Sequence, residues 1–116
     1  MFTNIKATTD YWFHLDTNEV IGHCNVFPSR YLDNAVELWA FSIIKEHQGK
    51  GYGQWALQEI IKYNKDKTIV LFVQKTNERA LHIYKKVGFQ IVGEYRGGSY
   101  AWEMRRGEPL LFLFVS

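Results

Sequence analysis

Thiols are nearly missing from this 116-residue chain: Cys24 is its one cysteine, so no internal disulfide can form and no second thiol is available for a zinc cluster. A reducing compartment, the cytoplasm, is the expectation that follows. Proline is scarce, with Pro28 and Pro109 each falling at a break between apolar runs, and there is no repeat, low-complexity tract or Pro/Gly-rich linker. A single domain, residues 1–116, is therefore expected. No apolar run reaches the roughly 18–20 residues that cross a bilayer, and the opening MFTNIKATTDYWFHLD lacks the basic-then-apolar order of a signal peptide. No membrane partner is expected. A strong charge of one sign is lacking too: 14 Lys and Arg against 12 Asp and Glu leave +2, too little for a nucleic-acid binder and compatible with an anionic small ligand. No motif has metal-ligand spacing, so no metal is expected.

What the chain has in quantity is bulk. Eight Phe, seven Tyr and four Trp within a 47% hydrophobic composition supply core area and exclude extended disorder. A domain this small still buries a modest fraction of its surface, which favours sharing apolar area with a partner.

Residues 11–15 and 20–27 are short aromatic or β-branched runs joined by Asp16-Thr17-Asn18-Glu19, the chemistry of a turn between antiparallel strands. Residues 36–44, VELWAFSII, read as a third strand, whose alternation places Glu37, Trp39, Phe41 and Ile43 on one face. A glycine-rich loop then runs into QWALQEIIKYN, where Leu57, Ile60 and Ile61 recur at helical spacing. TIVLFV, residues 68–73, has the continuous apolar character of a strand buried on both faces, so strand, helix and strand in this order form a right-handed parallel crossover. A second helix over 77–87 carries Ala80, Leu81, Tyr84 and Val87 on one stripe and stops at Gly88. Residues 89–95, 99–105 and 110–115 read as three more strands, the first two joined by Arg96-Gly97-Gly98. The expected class is α/β (α+β), a mixed sheet containing one parallel crossover.

The loop Gln48-Gly49-Lys50-Gly51-Tyr52-Gly53 lies between a strand and a helix, where backbone N–H groups and the helix dipole converge on an anion. Two nucleotide motifs fail by counting: Gly49-Lys50 is followed by Gly51 rather than Ser or Thr, and the third glycine of G-x-G-x-x-G would fall on Gln54. Gln48-x-x-Gly51-x-Gly53 instead resembles the pyrophosphate loop, Q/R-x-x-G-x-G/A, of the GNAT superfamily of acyl-CoA-dependent N-acyltransferases. Asn77-x-x-Ala80-x-x-x-Tyr84-x-x-x-Gly88-Phe89 resembles that superfamily's second CoA-contacting segment, N-x-x-A-x-x-x-Y-x-x-x-G-F, in order, spacing and expected secondary structure. The likeness extends over about residues 20–105.

The resemblance implies the GNAT fold and an N-acetyltransferase that uses acetyl-CoA as cosubstrate, with direct attack by a primary amine, of a small molecule or a peptide, in a ternary complex. It assigns Phe41, Ser42 and Ile43 to the pantetheine arm, and Gln48, Gly49, Lys50, Gly51, Tyr52, Gly53 and Gln54 to the pyrophosphate. Asn77 is assigned to the pantetheine portion and Tyr84 to protonation of the departing thiolate. The glutamate that some members place five residues before the asparagine is absent, since that position is Phe72; in another branch the base sits on the pantetheine strand, at the position of Glu37. Of the four histidines, His14, His23, His47 and His82, His23 on the neighbouring strand is the most plausible alternative base. The alternative to an enzyme is a non-catalytic CoA-binding module, or a subunit of a larger acetyltransferase assembly.

The chain departs from the family at both ends. Only about ten residues precede the first hairpin where members carry a strand and two helices, so an N-terminally shortened fold is expected, without that first strand. Residues 107–116 add an apolar extension strand, LLFLFV at its heart, which must be covered on both faces. A homodimer with this tail in its interface, as a strand exchanged between subunits, is the expectation.

Overall fold

The computed structural model describes residues 2–4, 10–95 and 100–107. Strands β1 (Phe2–Asn4), β2 (Asp10–His14), β3 (Val20–Pro28) and β4 (Ala35–Ile43) form an antiparallel meander. A single 3-10 turn, Lys45–His47, leads through the glycine loop into helix α1 (Tyr52–Tyr63). Strand β5 (Thr68–Gln74), helix α2 (Glu78–Lys86), β6 (Gln90–Glu94) and β7 (Ala101–Arg106) complete one sheet in the order β1-β2-β3-β4-β5-β7-β6. Among the described residues only β4 and β5 pair in parallel, as a strand–helix–strand crossover requires.

Apolar periodicity explains where the core lies. Ala56, Leu57 and Ile60 of α1 are fully buried against Ile69 and Leu71 of β5, Val36 and Leu38 of β4, and Phe13 of β2. The stripe of α2, Ala80, Leu81, Ile83, Tyr84 and Val87, packs on the same cluster, which puts both helices on one face of the sheet. Asn77 caps α2 by accepting a hydrogen bond from the Ala80 N–H at 3.1 Å, and the helix ends before Gly88, whose φ of +102° continues the chain into Phe89.

Two expectations are corrected here. A first strand is present, β1, shortened to three residues and paired with β2 in the register Phe2↔Phe13 to Asn4↔Tyr11. The second correction concerns the faces of β4. Strand β3 pairs Asn25 with Trp39 and His23 with Ser42, so the single residue Cys24 stands opposite Ala40 and Phe41 together. Ala40 has φ +54°, and this β-bulge shifts the alternation by one residue. Val36 and Leu38 face the helices before the bulge and Phe41 and Ile43 after it, which leaves Glu37 and Trp39 on the opposite face. The expected common face for all four odd positions is therefore wrong. The turn at Arg96-Gly97-Gly98 and the extension strand after Gly107 lie outside the described residues.

Candidate functional site

Parallel pairing of β4 with β5 runs from Ala35↔Thr68 to Leu38↔Leu71 and stops there, although β4 continues to Ile43 and β5 to Gln74. Among the described residues no strand pairs with the β5-facing edge of residues 39–43, which is available to an extended ligand as an added strand would be. On the helix side of this gap lies a cavity of about 480 Å³. It is lined by Phe41, Ser42 and Ile43 from β4, by Gln48, Gly49, Gly51, Gly53 and Gln54 from the loop and α1, and by Asn77, Arg79, Ala80, Ile83 and Tyr84 from α2.

The loop's shape follows from its glycines. Gly49 and Gly51 have φ of +79° and +85°, and a side chain at Gly51 would point into open space, with no atom within 4 Å of its Cβ. Gly51 caps α1, so the first N–H groups of the helix open toward the cavity without a side-chain acceptor from the cap. Gln48 has a holding role: its amide Nε2 donates to the Ile43 carbonyl at 2.9 Å, tying the loop to the end of β4. Gly53 is not strained, since it is helical and a Cβ there would meet Ile43 and Ile83 at 3.9 and 4.0 Å.

Tyr84 reaches the cavity from α2, with its ring against Phe41 (centroids 6.5 Å apart) and Phe89 (5.9 Å). A phenol is already protonated at neutral pH and can donate there; burial pushes that of Tyr84 up to about 12, with a smaller contribution from the negative charge Cys24 would carry if ionised, and so extends the range over which it keeps its proton. Cys24 is itself pushed up to about 12 by burial and stays a thiol.

Eleven of the expected site residues were assigned to a cofactor, and the structure brings nine of them into this one cavity. Lys50 is exposed outside its lining. Tyr52 turns toward His47, with ring centroids 5.8 Å apart, and packs on the core. Arg79 escaped the sequence reading: its guanidinium Nη2 would lie 3.2 Å from a Cβ placed on Gly49, which sets a cation over the loop. The available signal was its place in the first turn of α2, two residues after Asn77.

Glu37 is not in this cavity. It lines a second one, about 420 Å³, on the sheet face away from the helices, together with Arg30, Tyr31, Trp39, Phe72 and Tyr95. Trp39 and Phe72 are the first residues beyond the paired part of β4 and β5, so the two cavities flank the gap from opposite faces. Glu37 is 1% exposed; its Oε1 accepts from Trp39 Nε1 at 3.0 Å and its Oε2 from Ser29 Oγ at 3.2 Å and the Arg30 N–H at 3.3 Å. On the same face His23 Nε2 lies 3.1 Å from Asp10 Oδ1 and its ring rests on Trp12, while His47 is 3.0 Å from Glu19 and His14 Nδ1 is bonded to the Leu15 carbonyl. None of the three lines either cavity, and neither does His82. Among the described residues no group of three His, Cys, Asp or Glu could hold a metal ion, and no helix is long and apolar enough to cross a membrane.

Comparison with known proteins identifies the family and the fold. Residues 2–89 match the Acetyltransferase (GNAT) family. The N-alpha-acetyltransferase RimI of Mycobacterium tuberculosis is 34% identical over 80 residues, which are 63% of this chain and 51% of that protein. A 5-NmdU N-acetyltransferase of Pseudomonas phage PaMx11 is 27% identical over 100 residues, 84% of this chain and 71% of the phage protein. The chain thus spans about half the length of the mycobacterial relative. Among solved structures, a chimera of Vibrio cholerae spermidine N-acetyltransferase SpeG and hSSAT superposes with a TM-score of 0.72 at 23% identity, covering 84% of this chain and 64% of the other. The PaiA N-acetyltransferase of Thermoplasma acidophilum, in complex with coenzyme A, gives 0.69 at 20% identity, covering 85% and 60%.

Proposed function

The chain belongs to the Acetyltransferase (GNAT) family, and from that premise we propose that it transfers an acetyl group from acetyl-CoA to a primary amine by direct attack in a ternary complex. The observation that carries the reading is the convergence of Phe41–Ile43, the loop 48–54, Asn77 and Tyr84 on one cavity at the open end of the β4–β5 gap. The residues fit a phosphorylated, extended cosubstrate: the cap at Gly51 opens backbone N–H groups toward the space, Arg79 adds a cation, and the unpaired edge of β4 offers main-chain partners.

In this reading acetyl-CoA supplies the acetyl group as a thioester. The amides of residues 48–53 and the Arg79 guanidinium hold its pyrophosphate, with Lys50 a second, looser cation at the mouth. Main-chain groups of Phe41, Ser42 and Ile43 hold the pantetheine arm, with Asn77 beside it, and Tyr52 and Gln54 fix the start of α1 that carries the amides. Tyr84, a phenol protonated at neutral pH, gives its proton to the leaving thiolate. Glu37, across the gap, takes the proton that the amine must lose. Trp39, Ser29 and Arg30 fix this carboxylate, and one of its roughly four lone-pair sites is left for the amine.

One relative is named an N-alpha-acetyltransferase and the other a 5-NmdU N-acetyltransferase, so the acceptor of this chain is sought with a panel. Release of free CoA thiol is followed with a peptide bearing a free N-terminus, spermidine and an aminomethyl nucleoside. Turnover of at least one is expected. Tight CoA binding without transfer to any amine would instead favour a non-catalytic CoA-binding module. We place the enzyme in the reducing cytoplasm, where a single buried thiol suits it, and as a homodimer, since no described helix covers the second face of the sheet.

A further inference from the structure

We infer that His47 is a positioning residue for the glycine loop: clasped between Glu19 in the β2–β3 turn and Tyr52 at the start of α1, its ring sets residues 48–51 in the shape that receives the cosubstrate's diphosphate. The inference rests on the acyl-transfer reading only in taking acetyl-CoA as the loop's ligand.

The loop needs such a device. Gly49 and Gly51 both hold a positive φ, and glycine gives up more conformational freedom than any other residue when it is fixed. The loop's entrance is tied to the sheet: the His47 and Gln48 N–H groups donate to the Ile44 and Lys45 carbonyls at 2.9 and 3.2 Å, and Gln48 Nε2 donates to that of Ile43. Its exit is the first turn of α1, where the Trp55 N–H donates to the Gly51 carbonyl at 3.1 Å. His47 joins the two. Its ring meets that of Tyr52 edge to face, with centroids 5.8 Å apart at 68°, so the residues on either side of the loop touch at its base.

A second contact aims the ring. Nε2 lies 3.0 Å from Glu19 Oε2, while Nδ1 is buried and has no hydrogen-bond partner among the described residues. An N–H buried at Nδ1 would lack an acceptor, which assigns the proton of the neutral ring to Nε2, where it donates to the carboxylate. Glu19 is held in turn, since the Leu15 N–H donates to its carbonyl at 2.9 Å and closes the turn between β2 and β3. With the Glu19 side chain 55% exposed, the pair adds little to overall stability, and its effect is on where the ring stands. His47 lines neither cavity, so it acts through the loop and not on a ligand. The same clasp accounts for Tyr52, whose ring faces the histidine and not the cavity.

The test titrates acetyl-CoA into the whole chain by calorimetry. His47→Leu keeps bulk but cannot donate, His47→Gln carries an amide that can replace the Nε2 donor, and Glu19→Ala removes the acceptor. If loss of the clasp leaves about a tenth of the molecules with a competent loop, affinity falls by about tenfold. Expected are that loss for His47→Leu, a change under about threefold for His47→Gln, at least about threefold for Glu19→Ala, and no further loss when Glu19→Ala is added to His47→Leu. Parent affinity in His47→Leu, a Gln variant as weak as the Leu one, or losses that multiply in the double variant would overturn the assignment. With an acceptor from the amine panel, KM for acetyl-CoA should rise about tenfold in His47→Leu while kcat holds, and a fall in kcat at saturation would also overturn it. Should His47→Leu not fold, Glu19→Ala carries the test, and parent affinity there would be the refutation. If acetyl-CoA does not bind the parent chain, the acyl-transfer reading fails and the clasp is judged by the Gly49 and Gly51 1H–15N signals of the free chain. These should move in His47→Leu and stay in His47→Gln; signals that His47→Leu leaves in place would overturn the clasp.

Discussion

Replacing Gly51 by alanine separates what the glycine loop does for folding from what it does for a ligand. At φ +85° an L-residue carries a strain of roughly 1–2 kcal/mol, which in a domain of this size lowers Tm by about 4–8 °C. The new methyl meets nothing in the protein and stands in the space before the first amides of α1. An anion held there by backbone N–H groups would lose at least one charge-assisted hydrogen bond, roughly 1.5–3 kcal/mol, or about 10- to 150-fold in affinity. Calorimetric titration with acetyl-CoA beside thermal unfolding reads both effects. Gly88→Ala is the control, with a φ of +102° and a Cβ 3.0 Å from Arg106 Nε, away from the cavity. It should lower Tm at least as much and leave affinity unchanged. Gly53→Ala should raise Tm, by relieving up to about 1 kcal/mol of helix penalty without strain. The reasoning is refuted if Gly51→Ala binds acetyl-CoA as the parent does, or if Gly88→Ala loses as much affinity.

Tyr84→Phe should cut turnover by roughly 100-fold or more with little change in CoA affinity, and in the parent chain the alkaline side of the pH–rate profile should hold to roughly pH 10, because the phenol is pushed up to about 12. Arg79→Ala should weaken acetyl-CoA binding by about tenfold and reduce its salt dependence, while Lys50→Ala, outside the cavity lining, should change it by less than about threefold. Glu37→Gln should raise the pH needed for half-maximal activity, and an unchanged profile would remove Glu37 as the base. Cys24 and Tyr84 both titrate higher in the folded chain than the ordinary 9.0 and 10.0, so their contribution to stability is complete below pH 9.0 and is lost as pH rises toward about 12. Thermal unfolding from pH 8 to 11 should show Tm falling above pH 9, and a Tm that rises over that span would contradict the assignment.

That Gly51, Asn77 and Tyr84 would share one cavity was legible because the cavity is built from local backbone chemistry. Gly51 must be glycine to hold its φ at the start of a helix, Asn77 is an N-cap, and Tyr84 follows Asn77 by a spacing that keeps both on the cavity side of α2. The face of Glu37 was not legible, since the bulge that reverses it is centred on Ala40, a residue whose identity gives no sign of a positive φ. The second cavity escaped for a related reason: Trp39, Phe72 and Tyr95 come from three separate segments, and only the sheet register brings their rings together. Strand β1 was missed because three residues carry no measurable period.

In the proposed reaction the cavity at the β4–β5 gap takes the CoA end of the acyl donor. Backbone 1H–15N spectra of the labelled chain, recorded as CoA is added, address it residue by residue. Saturable shifts are expected, largest at the amides of Ser42, Gly49, Gly51 and Gly53, with β2 hardly affected. Absence of any saturable shift, or the largest shifts around Tyr31, Glu37 and Tyr95 on the opposite face, would contradict it.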